Sequence, residues 1–190
     1  MQSDRDLLSG PIARRWVLCG ERPSKDLERY PSSWLMPSFT DDQWTVSRGL
    51  LDLSWFSKRE WYEMFCGTML LQKAHPGDEF AARADGRRRL AWLWEHDRHL
   101  CGVVFVGLQA AQSVAWRGGE TPEAGEWRML DGIEFYGKSA PATWLPLPLR
   151  MRHPAHVANT LFHEFFQRLR EASAPQSRPP WDGSLQASRW

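Results

Sequence analysis

The densest group of chemically reactive side chains lies in residues 84–92, Ala-Asp-Gly-Arg-Arg-Arg-Leu-Ala-Trp. Asp85-Gly86 predicts a tight turn, and the three arginines at 87–89 follow it at the predicted start of a helix. The first N–H groups of a helix have no partner within the helix, and the helix dipole favours an anion there. Arginine is unfavourable for the dipole at this end, so the pattern predicts an oxyanion between the guanidinium groups and the helix.

This prediction gives each residue of the run a role. The phosphate-binding residues are Gly86, Arg87, Arg88 and Arg89, because glycine lets the backbone approach a ligand closely. The predicted catalytic residues are Asp85, Arg88 and Arg89, with the arginines neutralising charge that develops on phosphorus. Asp85 could instead cap the helix, orient an arginine or hold a metal ion. The alternative is a solvated turn whose arginines pair with nearby carboxylates.

Other ionisable residues are candidates for a supporting role. Glu60 and Glu79 precede the arginine run, and either carboxylate could hold Mg²⁺ or activate a water molecule. Each of them alone is more typical of a solvated side chain. Three histidines and a glutamate near the C-terminus lack the spacing of a standard metal site, so a buried or capping role is favoured and no metal site is predicted: His153, His156, His163 and Glu164.

The bulk composition limits the class of protein. The chain has 190 residues, 42% of them hydrophobic, with a formal net charge of +1. These values predict one globular domain over residues 12–173, between a lead at 1–11 and a Pro/Ser-rich tail at 174–190. A near-zero net charge provides no global attraction to nucleic acid. The three scattered cysteines, the polar N-terminus and the lack of long apolar runs predict a cytoplasmic protein, or one held at the inner membrane by a partner.

The elements that must position the arginines follow from hydrophobic periodicity and turn residues. Strands are predicted over residues 12–19, 50–56, 79–84, 100–108, 113–116 and 127–136. Helices are predicted over residues 57–70, 87–96 and 155–172, and residues 140–154 are predicted to be extended. Ser57 and Glu60 form a capping box at the start of the first helix. Interleaved strands and helices predict an α/β or α+β domain with a mixed sheet and flanking helices.

The order of a strand, the arginine run, a helix and a valine-rich strand resembles the core of the ParB/sulfiredoxin superfamily over residues 46–108. Gly86, Arg89 and Ala91 match the superfamily's Gly-x-x-Arg-x-Ala motif, which binds nucleotide phosphates. Sulfiredoxins carry a catalytic cysteine two places before that arginine, whereas this chain has Arg87 there. The difference excludes sulfinic-acid reduction.

The branch that the chain resembles in length is the plasmid fertility-inhibition and oncogenic-suppression proteins. This resemblance implies an effector that binds nucleotide and DNA, with ATPase and DNase activity and ATP or another nucleotide with Mg²⁺ as cofactor. It also implies that the protein blocks DNA transfer by type IV secretion, with a secretion coupling protein as a partner. No P-loop motif is present, so nucleotide hydrolysis would not be of the P-loop type.

Twelve tryptophans support a second hypothesis. Large rings fill the core of a small domain, but exposed tryptophans also anchor protein interfaces. The alternative function is therefore a non-catalytic inhibitor that docks on a protein machine, such as a secretion coupling ATPase or a CRISPR-type nuclease complex.

Overall fold

A five-stranded sheet forms the centre of the protein. The computed structural model describes residues 15–23, 46–97, 99–131, 140–147 and 157–174. The strands are β1 (Arg15–Gly20), β2 (Phe65–Met69), β3 (Leu100–Val106), β4 (Arg128–Met129) and β5 (Pro141–Leu145). The helices are α1 (Val46–Ser54), α2 (Lys58–Met64), α3 (Glu79–His96), α4 (Leu108–Gln112) and α5 (Val157–Ala172).

The sheet is mixed, in the order β2-β1-β3-β5-β4. Strands β2, β1, β3 and β5 are parallel, and the two-residue β4 pairs antiparallel with β5. From β1 the chain passes outward to β2 and then returns to β3 on the other side of β1. The connections therefore diverge between β1 and β3, as in doubly wound α/β folds.

Helices cover both faces of this sheet, which is why the parallel strands are almost continuously apolar. On one face, Trp16 and Leu18 of β1 pack against α1, α2 and α5. On the other, Val17 and Cys19 pack against α3, α4 and the segment around Trp116. The predicted single α/β domain with a mixed sheet and flanking helices is confirmed. Among the described helices, none is long and apolar enough to cross a membrane.

Helix α3 corrects the predicted strand at 79–84 and the turn at Asp85-Gly86. The helix runs unbroken from Glu79 to His96, and its N-cap is Asp78, whose side chain accepts a hydrogen bond from the Ala81 N–H. The prediction was wrong because it took Asp85-Gly86 as a turn that ends a strand. In a helix interior, glycine is tolerated where packing requires it.

The predicted strand at 50–56 is also wrong, because residues 46–54 form α1. Leu50, Leu51 and Ser54 are buried while Asp52 is exposed, which is a helical and not an alternating pattern. A short apolar run does not by itself distinguish a buried strand from a helix. The helix predicted over 57–70 begins as expected at the Ser57 capping box but ends at Met64, and the chain continues directly into β2.

The remaining predicted elements agree with the structure only in part. Strands β1 and β3 and helix α5 occur as predicted. The strand predicted at 113–116 is reduced to a bridge between Trp116 and Leu130, and only Arg128–Met129 of 127–136 is a strand. The lead at 1–11, most of the tail, and His153 and His156 lie outside the described residues.

Candidate functional site

A crevice of about 510 Å³ opens at the carboxyl ends of the parallel strands. It lies where β1 ends at Gly20 and β3 ends at Val106, so it occupies the point where the chain connections diverge. Ligands of doubly wound sheets bind outside the carboxyl ends of the strands at this point. We call it the carboxyl-edge crevice.

The walls of the carboxyl-edge crevice are mostly apolar. Five hydrophobic side chains contribute to them: Val46, Met69, Val106, Leu108 and Leu147. Leu108 and Leu147 are about half exposed, so they form an apolar rim. Three polar side chains also line the crevice, namely Glu21, Arg22 and Gln109. A largely apolar cleft with a few converging polar groups is the usual form of a small-molecule site.

Glu21, the first residue after β1, supplies the carboxylate of the crevice. Its side chain is 10% exposed. Its Oε1 accepts hydrogen bonds from Arg22 Nη2 at 3.3 Å and from Arg83 Nη2. Among the described residues, no hydrogen bond reaches its Oε2. The two guanidinium groups therefore both hold the same carboxylate oxygen of Glu21.

The charges beside the crevice are balanced. Arg22 also pairs with Glu79 Oε1 at 3.2 Å, and Arg83 lies 3.6 Å from Glu79 Oε2. Two arginines thus face two glutamates, Glu21 and Glu79. This cluster therefore gives the crevice no net positive charge to attract an anion.

Gly107 shapes the turn between β3 and α4 at the base of the rim. It has φ +94°, and a Cβ atom placed on it would lie 3.3 Å from Leu147 Cγ. Its N–H donates to the carbonyl oxygen of Leu145 at 2.8 Å. Glycine is needed here because other residues rarely adopt this backbone conformation.

The predicted phosphate-binding residues lie in the middle of α3, not at its N-terminus. The Arg87 guanidinium donates to the Ser113 carbonyl at 3.3 Å, and Arg88 pairs with Asp85 on the exposed surface of the same helix. Arg89 donates to the carbonyls of Met69 and Leu70 at 3.1 and 3.3 Å.

The surroundings of Arg89 and Gly86 differ from those of a ligand site. Burial lowers the pKa of Arg89, opposed by the nearby carboxylate of Asp85. Gly86 is buried directly against the backbone of Leu70. The helix N-terminus that the phosphate hypothesis requires is at Glu79, so the predicted strand–turn–helix geometry is absent from this part of the chain.

The predicted metal- or water-binding carboxylates lie in two different places. Glu79 belongs to the charge cluster beside the crevice. Glu60 is buried between α2 and α5, where it pairs with Arg170. His163 stacks on Trp55 with ring centroids 3.9 Å apart. Among the described residues, no group of three or more His, Cys, Asp or Glu side chains could hold a metal ion.

Sequence reasoning missed Glu21, Arg22 and Arg83. One signal was available, because a charged residue directly after a buried parallel strand lies at the edge where such folds bind ligands. Using it required the knowledge that β1 and β3 are neighbours in the sheet. The chain matches no protein-family model and no curated protein sequence.

Proposed function

We propose that the protein binds a nucleobase, or a heterocycle of similar size, in the carboxyl-edge crevice. The observation that carries this proposal is the Glu21 carboxylate, which lies beside the apolar walls of the crevice. Arg22 and Arg83 both pair with its Oε1, and among the described residues no hydrogen bond reaches its Oε2. A flat ring can contact the apolar walls with its faces while a ring N–H donates to Glu21 Oε2. Hydrogen bonds to a charged acceptor are about twice as strong as neutral ones and give such a site its specificity.

The balance of charge favours the base over the phosphates of a nucleotide. Glu21 and Glu79 offset Arg22 and Arg83, so a phosphate placed at the crevice would meet no net attraction. We therefore place the uncharged ring inside the crevice and any sugar or phosphate outside it.

A titration followed by NMR tests the proposal. Adenine, cytosine, thymine and uracil are added separately to ¹⁵N-labelled protein. We expect at least one base to shift the amide signals of Gly107 and Gln109. Glu21→Gln should weaken its binding about tenfold, because the charge-assisted hydrogen bond contributes about 1.5–3 kcal/mol. The matched control is Glu63→Gln, which removes an exposed carboxylate paired with Arg59, and it should leave the affinity unchanged.

Two results would contradict the proposal. One is that no base shifts these amide signals, and the other is that Glu21→Gln binds as tightly as the wild type.

The fertility-inhibition hypothesis, with ATPase and DNase activity at the arginine run, stays a prediction. Two elements on which the ParB/sulfiredoxin resemblance depended, the strands at 50–56 and 79–84, are helices. The deciding assay measures ATP hydrolysis and DNA nicking with and without Mg²⁺ in wild type, Arg89→Ala and Asp85→Ala. Loss of activity in variants that retain native circular dichroism supports the hypothesis. An inactive wild-type protein, or activity untouched by both changes, refutes it.

A further inference from the structure

Arg83 joins the Glu21 carboxylate to two other elements. It lies on α3, and its side chain is 23% exposed. One guanidinium nitrogen, Nη2, donates to Glu21 Oε1, and the other, Nη1, donates to the hydroxyl of Ser113. The single side chain therefore bridges the residue after β1 and the residue after α4.

Ser113 continues this chain of hydrogen bonds to Gln109. Its hydroxyl donates to the carbonyl oxygen of Gln109 at 2.7 Å while accepting from Arg83. A hydroxyl has one donor and two acceptor sites, so both bonds can form together. Glu21 and Gln109 both line the crevice. The contacts Glu21–Arg83–Ser113–Gln109 thus connect two residues of the crevice lining.

Arg83 differs from Arg22, the other arginine that pairs with Glu21, in the further contacts that it makes. Arg22 donates to the Ala74 carbonyl at 3.1 Å and pairs with Glu79 of α3. Arg83 lies on α3 and donates to Ser113, the residue after α4. Of these two arginines, Arg83 therefore links Glu21 to the end of α4.

We propose that Arg83 is a positioning residue, which orients Glu21 toward the bound heterocycle. This inference rests on the proposed function. Arg83 does not contact the ligand, so its effect on binding should pass through Glu21.

A double-mutant cycle tests this coupling. Wild type, Glu21→Gln, Arg83→Met and the double variant are titrated with whichever of adenine, cytosine, thymine and uracil the wild type binds most tightly. We expect each single change to weaken binding about tenfold. The double variant should be no weaker than Glu21→Gln. A merely structural role for Arg83 would instead lower the affinity in both backgrounds by the same factor.

Two further variants complete the design. Arg83→Lys keeps one donor and the charge, so it should recover part of the affinity, and it replaces Arg83→Met in the cycle if that variant does not fold. Arg59→Met removes an arginine whose partner, Glu63, lies on the same helix, and it should bind like the wild type.

The outcomes separate this inference from the proposed function. If the wild type binds no base, both are wrong. If Glu21→Gln weakens binding but Arg83→Met does not, only the positioning role is wrong. Equal and independent losses in the cycle would also overturn it.

Discussion

Gly86 is the residue at which α3 makes its closest approach to the chain that follows β2. A Cβ atom placed on it would lie 2.0 Å from the carbonyl oxygen of Leu70. Glycine destabilises a helix interior by about 1 kcal/mol relative to alanine, so helix propensity does not explain its presence. The close packing of α3 on the residue after β2 does.

Gly86→Ala should therefore destabilise the protein although alanine is the better helix former. We expect the free energy of unfolding to fall by about 2 kcal/mol or more, because α3 must move away from Leu70. Urea denaturation measures the change. Gly77→Ala is the matched control, since a Cβ atom there would meet no atom within 4 Å. Equal effects of the two substitutions would contradict the packing argument.

Two cysteines of the sheet differ from a free thiol, namely Cys19 on β1, which is buried, and Cys66 on the edge strand β2, which is partly buried. Burial raises the pKa of the Cys66 thiol to about 11, and it also raises the pKa of Cys19. Both thiols therefore stay protonated in the folded protein at pH values where the unfolded chain already ionises. Their contribution to stability is fully present below about pH 9 and is lost as the pH rises toward 11.

This linkage predicts a free energy of unfolding that is flat up to about pH 9 and decreases above it. Urea denaturation at pH 7.5 and pH 10.5 measures the difference. In Cys66→Ala the decrease should be smaller, because one of the two titrating thiols is gone. A decrease of the same size in that variant would rule out Cys66 as a source.

At the scale of elements, Glu60 joins two helices that are far apart in the sequence. Its Oε2 accepts hydrogen bonds from the backbone N–H and the hydroxyl of Ser57, both at 2.9 Å, and its Oε1 pairs with Arg170 of α5. The Arg170 guanidinium also lies 5.7 Å from the ring centroid of Phe56. The carboxylate therefore caps α2 and holds α5 against it.

Glu60→Ala should lower the free energy of unfolding by about 3 kcal/mol, because it removes the cap and leaves a partly buried guanidinium without its partner. Chemical denaturation measures this loss. Glu63→Ala breaks the exposed pair with Arg59 and should change the stability by less than about 1 kcal/mol. A small effect of Glu60→Ala would show that the α2–α5 junction depends on apolar contacts alone.

Helix α2 shows which of its two ends could be predicted from neighbouring residues. Ser57 and Glu60 predicted the start of α2, since a capping box depends on residues three apart. The end of α2 at Met64 was not predictable in this way. Residues 65–69 form β2 because they pair with β1, and that pairing lies outside any local window.

At the scale of the whole molecule, the two exposed tryptophans that the structure describes do not lie on one surface. Of those that the structure describes, Trp55 and Trp92 are more than half exposed. Trp55 stacks on His163 of α5, whereas Trp92 belongs to α3. These helices cover opposite faces of the sheet. Trp16, Trp61 and Trp116 are buried, which supports the core-filling interpretation for them.

The balanced charges of the crevice predict binding that depends little on salt. We expect the dissociation constant of a bound base to change less than about twofold between 50 and 500 mM NaCl, because no net charge is neutralised on binding. Binding of DNA phosphates by the arginines of α3 would instead weaken by orders of magnitude. The NMR titration repeated at the two salt concentrations measures this, and a steep salt dependence of base binding would contradict the balanced charge of the crevice.

The sequence by itself determined the α/β class, the strands β1 and β3, the capping box of α2 and the amphipathic helix α5, because each depends on neighbouring residues and their periodicity. The tertiary structure decided that residues 79–96 form one helix and that Gly86 packs against Leu70. It also decided that Glu21 meets Arg83 at the crevice, although 62 residues separate them in the chain. The pairing of parallel strands brings such residues together, and no local pattern of residues encodes which strands become neighbours.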